Sequence, residues 1–202
     1  MQNILSCTDC SLCSRRTQVV MPTPCKPGGL LTIGEAPGAE EDIAGEGFVG
    51  RAGKTLDKLL AAHGLARGGY GRANICRCRP VDDEGKNRKP RPAEVEACLP
   101  KLAEFIAQTR PKVILCVGWT PGQMFVRAGS LADGISLGPM QYIPEHNSSN
   151  PAALQQIQSP VHAVVMPHTS PLAFNRNAPN GRKWADVARV QVSKAVSLLR
   201  QP

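Results

Sequence analysis

Four cysteines have a spacing that could bind a metal centre. Cys7 and Cys10 form a C-x-x-C pair near the start of the chain, and Cys78 and Cys98 follow as two distant single residues. A close pair with two distant cysteines is typical of a four-thiolate site, which suits either an iron–sulfur cluster or zinc. Such a site would cross-link the N-terminal segment to the middle of the chain.

The chain has eight cysteines, which raises the question of their redox state. No apolar segment of signal-peptide type opens the chain, and no run approaches the roughly 20 apolar residues of a membrane span. We therefore expect reduced thiols in a cytoplasmic protein with no membrane partner. Cys13, Cys25 and Cys76 have no predicted role, and Cys116 within VILCVG is predicted to be a buried strand residue.

Length and charge set the broad class of the protein. The 202 residues predict one domain, covering 1–202, with a single core. Only 4% of the residues are aromatic, so this core must consist mainly of Leu, Val, Ile and Ala. The net charge of +8 favours a polyanionic partner such as nucleic acid, although a merely basic protein has the same composition.

Short apolar segments alternate with amphipathic ones along the chain. The segments LLTIG, RANIC, KVILCV and HAVVMP read as buried strands, and helices are predicted over about 53–63, 92–108 and 183–200. Continuous apolar strands indicate a parallel sheet covered on both faces. We predict a three-layer α/β/α sandwich with a central, mainly parallel four-stranded sheet. Residues 128–159 are rich in Gly, Asn, Ser and Pro and predict only a loose hairpin and an exposed loop.

The loops that follow the predicted strands are expected to form the ligand site. Ligands of such sheets bind beyond the carboxyl ends of the strands, so the loops after LLTIG, NIC and VVMP should converge. The first loop ends in Gly53-Lys54-Thr55, but Phe48 stands where a phosphate-binding P-loop needs its first glycine. The acidic run at 40–42 would also repel a phosphate, so nucleotide hydrolysis is not expected.

Several motifs in these loops occur together. The first loop contains GEAPG at 34–38, Glu-Asp at 41–42 and FVGRAG at 48–53, and NICRCRP occupies 74–80. The opening C-x-x-C is followed by Arg-Arg-Thr at 15–17. In combination, these motifs resemble the uracil-DNA glycosylase superfamily, and in particular its iron–sulfur branch, family 4. The resemblance is dense as far as about Phe105 and weak from Ala128 to Ser159.

The resemblance implies a role for several residues. Glu35 would position or activate the attacking water, and His168 would stabilise the departing uracil anion. Phe48 would stack on the flipped uracil, and Asn74 would read its amide edge. The residues in these motifs that would bind the substrate are Gly34, Ala36, Gly38, Phe48 and Asn74. The resemblance also favours a [4Fe–4S] cluster on Cys7, Cys10, Cys78 and Cys98, with zinc as the alternative.

The chemistry of glycosidic-bond cleavage explains these residue types. Breaking the bond builds positive charge on the sugar and negative charge on the leaving base, so a carboxylate and a donor stabilise the two parts. The nucleotide must leave the base stack, which requires a close-fitting pocket with an aromatic wall. The Asn74 amide can pair with uracil O4 and N3–H, whereas cytosine has the reverse pattern and leaves polar groups unpaired.

Two segments depart from the family 4 pattern. Family members usually read H-P-[AS]-x-L-L-R where this chain has HTSPLAFNR from His168 to Arg176. This loop usually enters the minor groove, and its predicted DNA-contacting residues are Ser170, Leu172, Phe174 and Arg176. The interval between Cys78 and Cys98 is longer than usual but lacks the histidine of a related branch that bonds covalently to DNA, so covalent trapping is not expected.

The sequence therefore predicts a monomeric, monofunctional uracil-DNA glycosylase that acts on uracil-containing DNA and carries a structural [4Fe–4S] cluster. Three alternatives remain at this point. A non-catalytic iron–sulfur DNA-binding module could keep the same fold. A glycosylase could have shifted its base specificity to hypoxanthine or xanthine. The chain could also be a purely structural protein that is cross-linked by a zinc site.

Overall fold

A computed structural model describes residues 4–126, 128–142, 152–157 and 161–201 of the chain. Its centre is a five-stranded sheet in the order β2-β1-β3-β5-β4. The first four strands in that order run parallel, and β4 pairs antiparallel with β5. The strands are β1 (Leu30–Gly34), β2 (Gly71–Asn74), β3 (Val113–Val117), β4 (Met140–Tyr142) and β5 (Val161–Met166).

Seven α-helices accompany the sheet within the described residues. Short 3₁₀ turns also occur at Ile4–Ser6, Ser11–Ser14, Arg67–Gly69 and Ala152–Gln156. The helices are α1 (Ala39–Ala44), α2 (Arg51–Ala61), α3 (Pro92–Thr109), α4 (Trp119–Phe125), α5 (Leu131–Leu137), α6 (Pro171–Phe174) and α7 (Trp184–Leu199). No helix among the described residues is both long enough and apolar enough to cross a bilayer.

Residues of the three central strands, β1, β3 and β5, contribute to two separate cores, one on each face of the sheet. Leu31 and Ile33 of β1 belong to the core that includes Leu102 and Ile106 of α3. Leu30 belongs to the opposite core, which includes residues of α2 and α7. Because side chains alternate across a strand, a sheet covered by helices on both faces has strands that are apolar at every position. The predicted three-layer α/β/α sandwich is confirmed.

The sheet has one strand more than predicted. β4 is the additional strand, and its pattern of one exposed, one half-buried and one buried residue is too short to give a sequence signal. It lies in the segment that predicted only a loose hairpin, where α5 also forms with Ser130 as its N-cap. The Ser130 hydroxyl accepts a hydrogen bond from the Asp133 backbone N–H. The prediction for 143–151 and 158–160 lies outside the described residues.

Candidate active site

A cleft of about 410 Å³ opens at the carboxyl ends of the parallel strands. β1 ends at Gly34, directly before Glu35, and β2 ends at Asn74. His168 lies two residues beyond the end of β5, and Phe48 comes from the loop between α1 and α2. The structure thus brings the predicted catalytic pair and the predicted base-binding residues to one cavity. The lining includes Gly34, Glu35, Ala36, Gly38, Phe48, Asn74, His168 and Ser170.

Glu35 is held by both its backbone and its carboxylate. Its carbonyl oxygen accepts a hydrogen bond from the Cys76 backbone N–H at 3.0 Å, which extends the pairing of β1 with β2. Its Oε1 accepts a hydrogen bond of 2.6 Å from the hydroxyl of Thr120, the second residue of α4. Thr120 was not predicted to have a role. The sequence offered one indication of such a role, because Thr120 follows the carboxyl end of the predicted strand β3, where ligand-binding loops are expected.

Glu41 and Asp42 hold the first loop in shape. Glu41 is buried, with its two carboxylate oxygens accepting hydrogen bonds from the backbone N–H groups of Gly38 (3.1 Å) and Gly50 (2.8 Å). Both oxygens of Asp42 accept a hydrogen bond from the Thr17 backbone N–H. Glu41 therefore links the two ends of the loop, and Asp42 links the loop to the N-terminal segment.

Phe48 has an unusual backbone conformation, and it both lines the cleft and packs in the core that includes residues of α2 and α7. Its φ of 61° is in the left-handed region, which is uncommon for a residue with a side chain. Its carbonyl oxygen accepts a hydrogen bond of 2.9 Å from Arg67, which also binds both carboxylate oxygens of Asp57. Arg67 therefore links the turn at Phe48 to α2 through Asp57. The helix has a glycine, Gly53, at the point where a β-carbon would collide with the Phe48 backbone.

Asn74 and Phe48 lie against Gly34. A β-carbon at Gly34 would clash with Asn74 Oδ1 and lie 2.9 Å from the Phe48 ring. Gly47 is close to the other end of the same amide, since a β-carbon there would be 3.8 Å from Asn74 Nδ2. Asn74 is 9% exposed, and no hydrogen bond engages its amide among the described residues. The predicted base-reading position of Asn74 is therefore narrow and polar, and it borders the cleft.

His168 has one ring nitrogen occupied and one available. Nδ1 accepts a hydrogen bond of 3.2 Å from the Ser170 backbone N–H, so a neutral ring carries its proton on Nε2. The ring is exposed on its cleft side, but the surrounding protein lowers the pKa of His168 by desolvation, and the nearby Glu35 carboxylate opposes this shift. The neighbouring Thr169 is fully buried and donates to the Ala52 carbonyl, which anchors the loop.

The four predicted DNA-contacting residues differ in their exposure. Ser170 is half-buried and lines the cleft, while the side chain of Leu172 is 72% exposed. Arg176 is also exposed. Phe174 is half-buried and packs against the core shared by α2 and α7. The loop therefore presents Leu172 and Arg176 outward and uses the Phe174 ring as an internal contact.

The four predicted metal ligands surround a second, smaller cavity. Cys7, Cys10, Cys78 and Cys98 line it together, and all eight cysteines of the chain are free thiols. Arg16 donates a hydrogen bond of 3.4 Å to the Cys78 sulfur. Cys76, for which no role was predicted, donates a hydrogen bond of 3.7 Å from its thiol to the Glu94 carbonyl. The neighbouring Cys76 side chain lowers the pKa of the Cys98 thiol, while burial opposes this effect. The charged side chains around the cavity are mostly basic, namely Arg16, Arg77 and Lys101 against one acidic residue, Asp9.

Glu94 joins three segments beside this cavity. It is 2% exposed, and its carboxylate accepts hydrogen bonds from Arg88 at 2.7 and 2.8 Å, from the Ser11 hydroxyl at 2.7 Å and from the Arg91 backbone N–H. Arg88 belongs to the insert between Cys78 and Cys98, and its guanidinium binds Glu94. The Arg88 hydrogen bonds lower the pKa of Glu94 to about 2, with burial opposing them.

Replacing Glu94 with glutamine is expected to destabilise the fold. The carboxyl pKa falls from 4.5 to about 2, which corresponds to about 3 kcal/mol of stability at neutral pH. Because the native carboxylate becomes protonated only in acid, the difference from wild type should shrink as the pH falls from 4.5 towards 2. Urea unfolding of Glu94→Gln tests this, with the exposed Glu96→Gln on the same helix as the control. Equal stabilities of the two variants would contradict the expectation.

Comparison with known proteins places this cleft in a family. A sequence profile of the Uracil DNA glycosylase superfamily matches residues 25–190, which is well over half of the chain. The chain therefore belongs to the uracil-DNA glycosylase superfamily. The matched region contains the whole candidate cleft, and the resemblance that the motifs indicated is confirmed.

Among individual relatives, the similarity is to type-4 enzymes. The Type-4 uracil-DNA glycosylase of Archaeoglobus fulgidus is 40% identical over 58% of this chain and 57% of its own length. The corresponding protein of Pyrobaculum aerophilum is 40% identical over 57% of each chain. That of Thermotoga maritima is 38% identical over 62% of this chain and 63% of its own. The matched part thus spans less than two thirds of these relatives.

Proposed function

We propose that this protein is a uracil-DNA glycosylase that hydrolyses the N-glycosidic bond of uracil in DNA, the first step of base-excision repair. The observation that carries the proposal is the convergence of Glu35, Phe48, Asn74 and His168 on one cleft. The names of the type-4 relatives support the same activity. The net charge of +8 suits a DNA partner.

A flipped uracil would enter the cleft between Phe48 and Asn74. The Phe48 ring provides the aromatic wall, and its turn is already clamped by Arg67, so stacking requires no rearrangement of the loop. The Asn74 amide has a free donor and a free acceptor for the uracil amide edge. Gly34, Ala36 and Gly38 keep the cleft floor free of large side chains, so that the base can approach the backbone closely.

Bond cleavage would be shared between Glu35 and His168. The Glu35 carboxylate would stabilise the positive charge on the sugar and orient the water that attacks it. His168 can offer its Nε2–H to uracil O2 as negative charge develops on the leaving base, because Ser170 occupies Nδ1. The lowered pKa of His168 keeps the ring neutral at physiological pH, so its Nε2–H donates a hydrogen bond without protonating the base.

Truncating His168 to alanine should lower kcat for uracil release by at least about tenfold while leaving DNA affinity close to wild type. The wild-type enzyme should keep its activity as the pH falls through 6.5, because the lowered pKa delays protonation of the ring. Steady-state kinetics across this pH range, together with binding of an uncleavable oligonucleotide, test both statements. An unchanged kcat in the alanine variant would remove His168 from the mechanism.

The loop after β5 would contact the DNA around the flipped nucleotide. Leu172 is the side chain best placed to act as a wedge, because it is both apolar and largely exposed. Ser170 lies at the cleft, and the exposed Arg176 suits a phosphate contact. Phe174 would act indirectly, since its half-buried ring holds the loop against α2 and α7. Among the predicted DNA-contacting residues, we therefore assign the wedge role to Leu172 and not to Phe174.

The cysteine cavity fits an iron–sulfur cluster. Cys7, Cys10, Cys78 and Cys98 all line this one cavity, so four thiolates are available to a single group. In a [4Fe–4S] cluster each iron takes one of these thiolates, and the resemblance to family 4 favours the cluster over zinc. When bound, the cluster would cross-link the N-terminal segment to β2 and α3, and the basic side chains around the cavity would balance its negative charge.

The experiment that tests the proposed activity uses three duplex oligonucleotides. They contain one uracil, one hypoxanthine or one mismatched thymine, and alkali cleavage after incubation reports abasic sites. We expect strand cleavage at uracil and little at thymine, because a close-fitting pocket would have to accommodate the additional 5-methyl group of thymine. Absence of abasic sites in all three would reject the proposal in favour of a DNA-binding module, and cleavage at hypoxanthine alone would reject the assignment of uracil.

A further inference from the structure

We propose that Thr120 is a positioning residue that orients the Glu35 carboxylate for the attack of water. The inference rests on the proposed function and goes beyond it, because Thr120 would act through Glu35 and would not touch the substrate. The contact that carries it is the 2.6 Å hydrogen bond from Thr120 Oγ1 to Glu35 Oε1, which joins residues 85 positions apart in the chain.

The backbone around Thr120 holds its hydroxyl in place. Thr120 lies in the first turn of α4, directly after β3 and the turn at Gly118. Gly118 has a φ of 100°, which favours glycine, and its N–H donates to the Met166 carbonyl of β5 at 2.9 Å. The turn is therefore tied to the strand that leads to His168. A donor on such a turn can fix a carboxylate with little loss of conformational entropy.

Glu35 needs such a partner because it lies between two cavities. It lines the cleft that contains Asn74 and His168, and it also lines a second cleft of about 610 Å³ beside α3 and α4. Thr120 lines the second cleft and does not line the first. Its hydrogen bond therefore holds one carboxylate oxygen from the side opposite the substrate. Without that bond, rotation about the Glu35 side chain could direct the carboxylate away from the reacting sugar.

The hydrogen bond from Thr120 also gives the two carboxylate oxygens of Glu35 different roles. Oε1 is occupied by Thr120, and no other hydrogen bond to the Glu35 carboxylate is present among the described residues. Oε2 thus keeps its lone pairs for a water molecule. The Glu35 backbone is already fixed by its hydrogen bond with Cys76. Thr120 therefore has to restrict only the rotation of the Glu35 side chain.

Two substitutions separate the hydrogen bond from the shape of the side chain. Thr120→Val keeps the shape but removes the donor, and we expect kcat for uracil release to fall by about three- to tenfold with KM within about twofold of wild type. Thr120→Ser keeps a hydroxyl and should restore kcat to within about twofold. Thr55→Val is the matched control, because the Thr55 hydroxyl bonds only to the Arg51 carbonyl on α2.

A double-mutant cycle tests whether Thr120 acts through Glu35. In a Glu35→Gln background, Thr120→Val should change kcat by less than about twofold, although it slows the wild type. Additive losses would overturn the inference, as would equal impairment of the valine and serine variants or a normal kcat for Thr120→Val. If the wild type releases no uracil, the proposed function and this inference both fail, whereas an active wild type with an unimpaired valine variant rejects the inference alone.

Discussion

Replacing Glu35 with glutamine is expected to lower kcat for uracil release by about 100-fold, a typical effect of losing a general base or a charge-stabilising carboxylate. Glutamine has nearly the same shape but carries no charge, so the cleft should keep its form. DNA affinity should change by less than about threefold, because Glu35 is proposed to act at the sugar and makes none of the predicted contacts with the base. Steady-state kinetics measure kcat, and fluorescence binding of a labelled oligonucleotide measures the DNA affinity.

The control for Glu35 is Glu104→Gln. Glu104 is exposed on α3, far along the chain from the cleft residues, and its carboxylate accepts a hydrogen bond from Gln108 one helical turn away. Removing one negative charge there should leave kcat unchanged. A Glu35→Gln variant that matches this control in kcat would show that the carboxylate does not take part in the reaction.

The second large effect is expected from the cysteine cavity. Cys98 is buried on α3, and replacing it with serine removes one of four proposed cluster ligands. We expect the purified variant to lose the visible absorbance of a cluster and to unfold at least about 10 °C below wild type. A chain of this size loses roughly 2–4 °C for each kcal/mol, so this shift corresponds to the loss of about 4 kcal/mol. Thermal unfolding followed by circular dichroism measures it.

Cys13→Ser is the matched control for Cys98→Ser. Cys13 follows Cys10 by three residues and is half-buried, but it does not line the cavity. The control should keep both the visible absorbance and the unfolding temperature of the wild type. Equal losses in the two variants would mean that the ligand set has been assigned wrongly. Because the cluster is proposed as a cross-link, kcat per folded molecule of Cys98→Ser should stay within about threefold of wild type.

The sequence predicted the framework of the fold because the framework depends on local patterns. Continuous apolar runs marked β1, β3 and β5, and the predicted helix over 92–108 corresponds closely to α3 (Pro92–Thr109). The strand β4 gave no such signal, because it is an edge strand of three residues paired only with β5. Its existence depends on the exposed edge of β5, which is a property of the assembled sheet.

The candidate site was predictable to the extent that its residues belong to motifs. The motifs containing Glu35 and Asn74 predicted a shared cleft, and the structure places both residues there. The supporting side chains were not predictable in the same way. Thr120, Arg67 and Glu94 act through partners far away in the sequence, so their roles depend on which loops the fold brings together. The predicted roles of the individual site residues stay predictions until kinetics test them.

Single-turnover release of uracil by the wild type and by Glu35→Gln, measured side by side, tests the central claim most directly. Each protein is mixed in excess with an oligonucleotide that contains one uracil, and the free base is quantified against time by chromatography. We predict one uracil released per abasic site formed by the wild type, and release about 100-fold slower by the variant at equal DNA occupancy. Equal rates for the two proteins, or DNA binding by the wild type without any free uracil, would contradict the account.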